Sequence, residues 1–158
     1  MSLADFRFSA LGATYLVMLF VPNLLWARLR KRDDEGEPKE SALLLVLERL
    51  GQAGTTVAAL AAPVTGAPGA SRITCLIGSL LAIGLYELAW VRYFRSPRTT
   101  FDLYRPWGPI PLPLAILPVL GFALLALYEL HVALLTCVTI LGVGHIGIHW
   151  QHQKRWVA

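Results

Sequence analysis

The stretch HVALLTCVTILGVGHIGIHW, His131 to Trp150, is a run of about twenty residues with no Asp, Glu, Lys or Arg, the length at which an α-helix crosses the hydrocarbon core of a bilayer. It decides the fold class, and it also carries the first sign of function. At 100° per residue, His145, His149 and, just beyond the run, His152 fall within about 60° of one another. Three of the four histidines in the chain therefore share one helix face. Ionisable groups at membrane depth are costly and mark functional sites by default.

The rest of the composition agrees with a membrane reading. Of 158 residues, 56% are hydrophobic and only 15% charged, against the quarter or so of charged residues usual in soluble domains. Mean hydropathy is +0.57. The net charge of +4 does not argue for nucleic acid, because most basic residues flank apolar runs. Cys75 and Cys137 lie in different apolar runs without CxxC spacing and read as small packing residues.

Working outward from the last run, four more apolar segments emerge, so the sequence predicts one transmembrane helical domain over 1–158. The spans are expected at about 8–27, 41–64, 72–93, 113–128 and 131–150, after a short polar lead over residues 1–7. The first is expected to be a retained helix, since no small-residue cleavage site follows it, and neither end carries a lipidation motif. Glu129-Leu130-His131 is too short for anything but a tight hairpin between the fourth and fifth spans, and Pro118 predicts a kink in the fourth. Residues 33–40 read as a plain solvated loop of mixed charge.

Basic residues orient the bundle. Arg28, Arg30, Lys31, Arg32, Lys39, Arg92, Arg95, Arg98, Arg105, Lys154 and Arg155 would lie on one side, and Arg7 and Arg72 on the other. Eleven against two predicts an N-terminus outside and a C-terminus in the cytoplasm. Trp26, Trp90, Trp107, Trp150 and Trp156 then fall at the cytoplasmic interface, where an aromatic belt is expected.

With this topology and 1.5 Å per residue, Asn23, Glu48, Gln52, Glu87 and His145 sit roughly 5 to 14 Å in from the cytoplasmic ends of their helices. Glu48, Gln52 and Thr55 repeat the spacing of His145, His149 and His152, so the second span offers a polar stripe to the fifth. The expectation is a pocket in the cytoplasmic half in which Glu48, Glu87 and His145 carry acid-base chemistry. Asn23, Gln52, Arg49 and His149 would contact the ligand, and Tyr104, Arg105 and Trp107 would cover the mouth. Glu48 with His145 and Glu87 with Arg49 are candidate pairs. The opposite half of the membrane offers little comparable, with Glu129 and His131 at its edge.

No cofactor is firmly implied. His145 and His149, at i and i+4, could chelate a single metal ion together with a carboxylate. Four histidines are too few for a di-iron centre, and Gly142-x-Gly144-x-x-Gly147 follows no strand, so it reads as close helix packing and not as a dinucleotide loop.

The segments Val21 to Trp26, Leu47 to Gln52, Tyr86 to Arg95 and Gly142 to His152 together resemble small, uncharacterised bacterial multi-pass membrane proteins. That resemblance implies a bacterial cytoplasmic membrane and brings no activity with it. Three functions fit the residues: a site that binds or acts on an apolar small molecule such as a lipid or isoprenoid, a transporter of a proton, metal ion or small solute, and a structural subunit of a larger assembly. The partners expected are the bilayer, an apolar ligand and a second copy of the chain, not nucleic acid.

Overall fold

A computed structural model describes residues 5–30 and 40–156, and these are mostly helical. Six α-helices are present among them: α1 (Ala10–Leu29), α2 (Ala42–Ala59), α3 (Ala70–Phe94), α4 (Thr100–Tyr104), α5 (Pro113–Glu129) and α6 (Val132–Trp156). Three, namely α1, α3 and α6, are long and apolar enough to cross a membrane, and α5 is a shorter apolar helix. All carry large apolar side chains on their outer faces, Leu24, Leu81, Leu127 and Val143 among them. Such surfaces are unfavourable in water and natural in lipid.

Three short elements were not expected. The second apolar run leaves the helix at Ala59. Residues Ala61–Pro63 then form β2, which pairs antiparallel with β1 (Phe6–Phe8), made from the end of the expected polar lead and the first residue of the expected first span. The register is Phe6 with Pro63, Arg7 with Ala62 and Phe8 with Ala61. A short apolar run does not distinguish a helix end from a strand, so this boundary was not legible. The five-residue α4 sits in the long connection after α3.

Neighbouring helices are oriented by close approaches. In α2 and α6, Gly51 abuts Leu141 and Gly54 abuts Cys137, while Gly144 abuts Glu48 and Leu44, so the two helices run antiparallel. Between α3 and α5, Gly78 meets Leu124 and Gly121 meets Ile83, again antiparallel. Small residues let such backbones come close. Helix α1 runs parallel to α3, with Tyr15 beside Ser79 and Asn23 beside Tyr86. The core between them holds Tyr15, Ala59, Ile83, Phe122, Leu125, Leu134 and Val138.

The tight hairpin is present. Leu130 takes a left-handed conformation (φ 56°, ψ 36°) between α5 and α6. His131 caps the turn: its backbone amide donates to Ala126 O at 2.8 Å. At the other end of the molecule, Trp90 is buried with Tyr86 and Tyr93, and Trp26 and Trp107 pack against them. These three indoles form a packed cluster at that end. Trp150 does lie exposed, under the Lys154 ammonium.

Candidate functional site

The α2–α6 seam brings Glu48 to His145. The imidazole Nδ1 lies 2.6 Å from Glu48 Oε1, and the two side chains are 25% and 19% exposed. With the Nδ1 proton donated to the carboxylate, Nε2 carries the lone pair of the neutral ring. One helical turn on, the His149 ring lies 4.3 Å from that of His145, centroid to centroid. Tyr104 follows, with its ring 5.5 Å from both His149 and His152. Its hydroxyl is 2.8 Å from His152 Nδ1, and His152 Nε2 is 3.2 Å from Glu40 Oε1. The three histidines thus form a ladder along α6, with a carboxylate at either end.

Helix α4 holds Tyr104 in this position. Thr99 opens it with a reciprocal cap: the Thr99 amide and hydroxyl donate to Asp102 Oδ2 at 3.0 and 2.9 Å, and the Asp102 amide donates back to Thr99 Oγ1 at 3.2 Å. Burial pushes the Asp102 carboxyl up, but the hydrogen bonds from Thr99 and Ser96, with the charge of Arg105, outweigh it and hold the group below its ordinary value. Gln153 then ties α4 to α6, donating from Nε2 to Tyr104 O at 2.9 Å and Pro111 O at 2.6 Å.

The other expected site residues are not gathered here. Glu87 stands on α3, which packs on α5 and α1. Among the described residues nothing bonds to its Oε1, and no hydrogen bond or ion pair joins it to Glu48, His145 or Arg49. Asn23 donates from Nδ2 to the Tyr86 hydroxyl at 2.8 Å and to Leu19 O at 2.7 Å. Gln52 and Arg49 are exposed on the outer side of α2. Arg105 is exposed, accepting from Arg92 through its carbonyl at 3.3 Å, and Trp107 packs toward the Tyr86–Trp90–Tyr93 cluster. Of the expected mouth residues, Tyr104 alone touches the histidines. Both cysteines are free, and Cys137 packs against Gly54.

Compared with family models, with curated proteins and with solved structures, the chain matches none. The chemistry must therefore be read from the residues themselves. A carboxylate-held imidazole beside a second imidazole can take up and release a proton, or offer nitrogen donors to a metal. Among the described residues no set of three or more His, Cys, Asp and Glu side chains converges as a metal site, so His145 and His149 would need ligands from elsewhere.

Sequence reasoning missed Glu40 and Ser9, and it left Glu129 and His131 at the edge of the far half without foreseeing their burial. Glu40, expected in a solvated loop, lies opposite His152. At the far end, Ser9, Glu129 and His131 are all buried. Ser9 Oγ donates to Glu129 Oε1 at 2.9 Å, and His131 Nε2 lies 3.1 Å from Ala58 O. That end thus holds a buried polar group of its own, where the sequence offered only Glu129 and His131 at the edge. The one available signal was Glu-x-His in a connection too tight to leave both side chains in solvent.

Proposed function

We propose that the chain is a multi-pass protein of a bacterial cytoplasmic membrane in which α1, α2, α3, α5 and α6 cross the bilayer, with the N-terminus outside and the C-terminus inside. Glu48, His145 and His149 form its cytoplasm-facing intramembrane site, which binds the polar end of an apolar small molecule, such as a lipid or isoprenoid, and exchanges a proton with it. The alternating directions of α2 against α6 and α3 against α5 support five crossings, as does the eleven-to-two distribution of basic residues.

The observation that carries the site is the 2.6 Å contact between Glu48 Oε1 and His145 Nδ1 in a pair that is neither sealed in the core nor fully open. The carboxylate fixes the ring and its tautomer, so that Nε2 is the basic atom. A ligand hydroxyl or an acidic C–H delivered from the lipid side would meet that nitrogen. His149 would accept or return the proton, and a metal on the two imidazoles is the variant of the same site.

A second reading has its own support. Gly144 abuts the Glu48 backbone, so the pair could act as a lock between α2 and α6 within a larger membrane assembly. Purified parent, His145→Ala and Glu48→Gln separate the two readings through melting temperature, metal content and retained lipid. Loss of a bound ligand or metal with folding intact supports the site. Two misfolded variants of a parent that holds neither ligand nor metal would leave the lock. Reporters fused to residue 158 test the topology, and activity of that fusion outside the cytoplasm would refute it.

A further inference from the structure

The far end of the bundle holds a cavity of about 260 Å³ between the α1 lead, the turn after β2, the start of α3 and the end of α5. Arg7, Thr65, Arg72, Tyr128 and Glu129 line it with the small residues of that turn. Its volume lies just below the roughly 300 to 1,000 Å³ of small-molecule sites, which suits a headgroup and not a whole lipid.

The charges in its wall are of both signs and are incompletely used. Glu129 is 7% exposed; Ser9 satisfies Oε1, and Oε2 has no hydrogen-bond partner among the described residues. That oxygen is closed off from solvent as the side chain stands, and a buried acceptor left unpaired is costly, so a donor in the cavity would draw the carboxylate toward it by a small turn of the side chain. Arg72 is held rigidly: Nε donates to Tyr128 O at 2.7 Å, Nη1 to Gly66 O at 3.2 Å and Nη2 to Thr65 Oγ1 at 2.8 Å. A guanidinium has five N–H groups, so Arg72 keeps donors to spare. Arg7, exposed on β1, lines the same cavity and adds a second cation.

We propose that this cavity binds a small zwitterion, a primary ammonium a few bonds from a phosphate, with the ammonium on Glu129 and the phosphate on Arg72 and Arg7. Phosphoethanolamine has this chemistry, whether free or as a lipid headgroup. An ammonium supplies the N–H that Glu129 lacks, and the guanidinium N–H groups suit phosphate oxygens. A quaternary ammonium has no N–H to give, so a choline headgroup satisfies only half of the site. The inference is independent of the Glu48–His145 reading, which concerns the opposite end.

The test uses the full-length protein in detergent and in nanodiscs. Soluble phosphoethanolamine, phosphocholine and inorganic phosphate are titrated by calorimetry, and ethanolamine-lipid and choline-lipid nanodiscs are compared by the lipid retained on extraction. The expected result is saturable binding of phosphoethanolamine, or selective retention of the ethanolamine lipid, and the arm that responds names the source. Glu129→Gln keeps an oxygen for Ser9 but turns the orphan oxygen into an N–H donor facing the ammonium. It should weaken binding about tenfold or more, the cost of one charged hydrogen bond. Arg7→Gln, at an exposed position, should weaken it in the same direction and decides the matter should Glu129→Gln fail to fold. Equal binding of phosphocholine or phosphate, or none in either arm, overturns the proposal.

Discussion

Gly144 lies against the backbone of Glu48 so closely that a Cβ at 144 would overlap its amide nitrogen and the Leu44 carbonyl. The close approach and the Glu48–His145 contact lie side by side on one seam, where consecutive residues of α6 meet the same residue of α2. The small residue is required by space, and the polar pair is set by the resulting register.

Gly144→Ala should therefore separate α2 from α6 and lower the melting temperature, at a cost of about 1 to 3 kcal/mol for an overpacked contact. Gly84→Ala is the control. Nothing lies within 4 Å of a Cβ at that position on α3, so the same change there should be neutral or raise stability by about 0.5 to 1 kcal/mol through helix propensity. Equal responses of the two variants would show that the seam is not close-packed.

Glu48 and His145 should also be coupled energetically. Both are partly exposed, so the pair is worth less than a fully buried one, and Glu48→Gln or His145→Gln alone should cost about 1 to 3 kcal/mol. The double variant should cost less than the two single changes together, because each single change removes the same interaction. Additive losses in chemical or thermal denaturation would mean that the contact contributes nothing to stability.

What the sequence could and could not convey is clear from this seam. The apolar runs and the Glu129–His131 turn were readable because length and turn chemistry are local properties. Glu48 with His145 was readable from matched depth. Gln52 was not, although it lies only about 40° from Glu48 around the helix. The line of α2 that meets α6 passes through Leu44, Glu48 and Gly51, and Gln52 falls just off it, in the open. Asn23 and Glu87 shared the depth of the site but belong to α1 and α3. Which helices adjoin is a property of the whole bundle, and one sequence does not encode it in any local pattern. Glu40 could have been found once α2 and α6 were known to be antiparallel, since pairs 54/137, 51/141 and 48/145 step in opposite directions and lead to 40 opposite 152.

Acid should loosen the α4 cap before it affects the bundle. Asp102 sits below its ordinary value in the folded chain, so its contribution is fully present above the unfolded carboxyl value and is lost as pH falls through the lower, folded one. Amide exchange across Thr100–Tyr104 should accelerate in that acid window, and Asp102→Asn should show the faster exchange already at neutral pH. Tyr104 would then leave His149 and His152, which loss of the NMR ring-proton contacts between these side chains can follow. Unchanged exchange in Asp102→Asn would show that the cap does not hold α4.

Ser79 joins three helices and provides a test of the core away from either site. It is fully buried on α3, and its single hydroxyl proton goes to Gly121 O of α5 at 2.6 Å. The Tyr15 hydroxyl of α1, 3.0 Å from Ser79 Oγ, must then be the donor in the remaining bond. Ser79→Ala removes the acceptor and strands a phenol that is 1% exposed, at a cost of about 1 to 3 kcal/mol for a buried unsatisfied group. Adding Tyr15→Phe deletes the stranded hydroxyl and should recover part of that loss, although Tyr15→Phe alone is destabilising. Thermal melts of the two single variants and the double decide it: a double variant as unstable as the two losses added would mean that Tyr15 and Ser79 do not depend on each other.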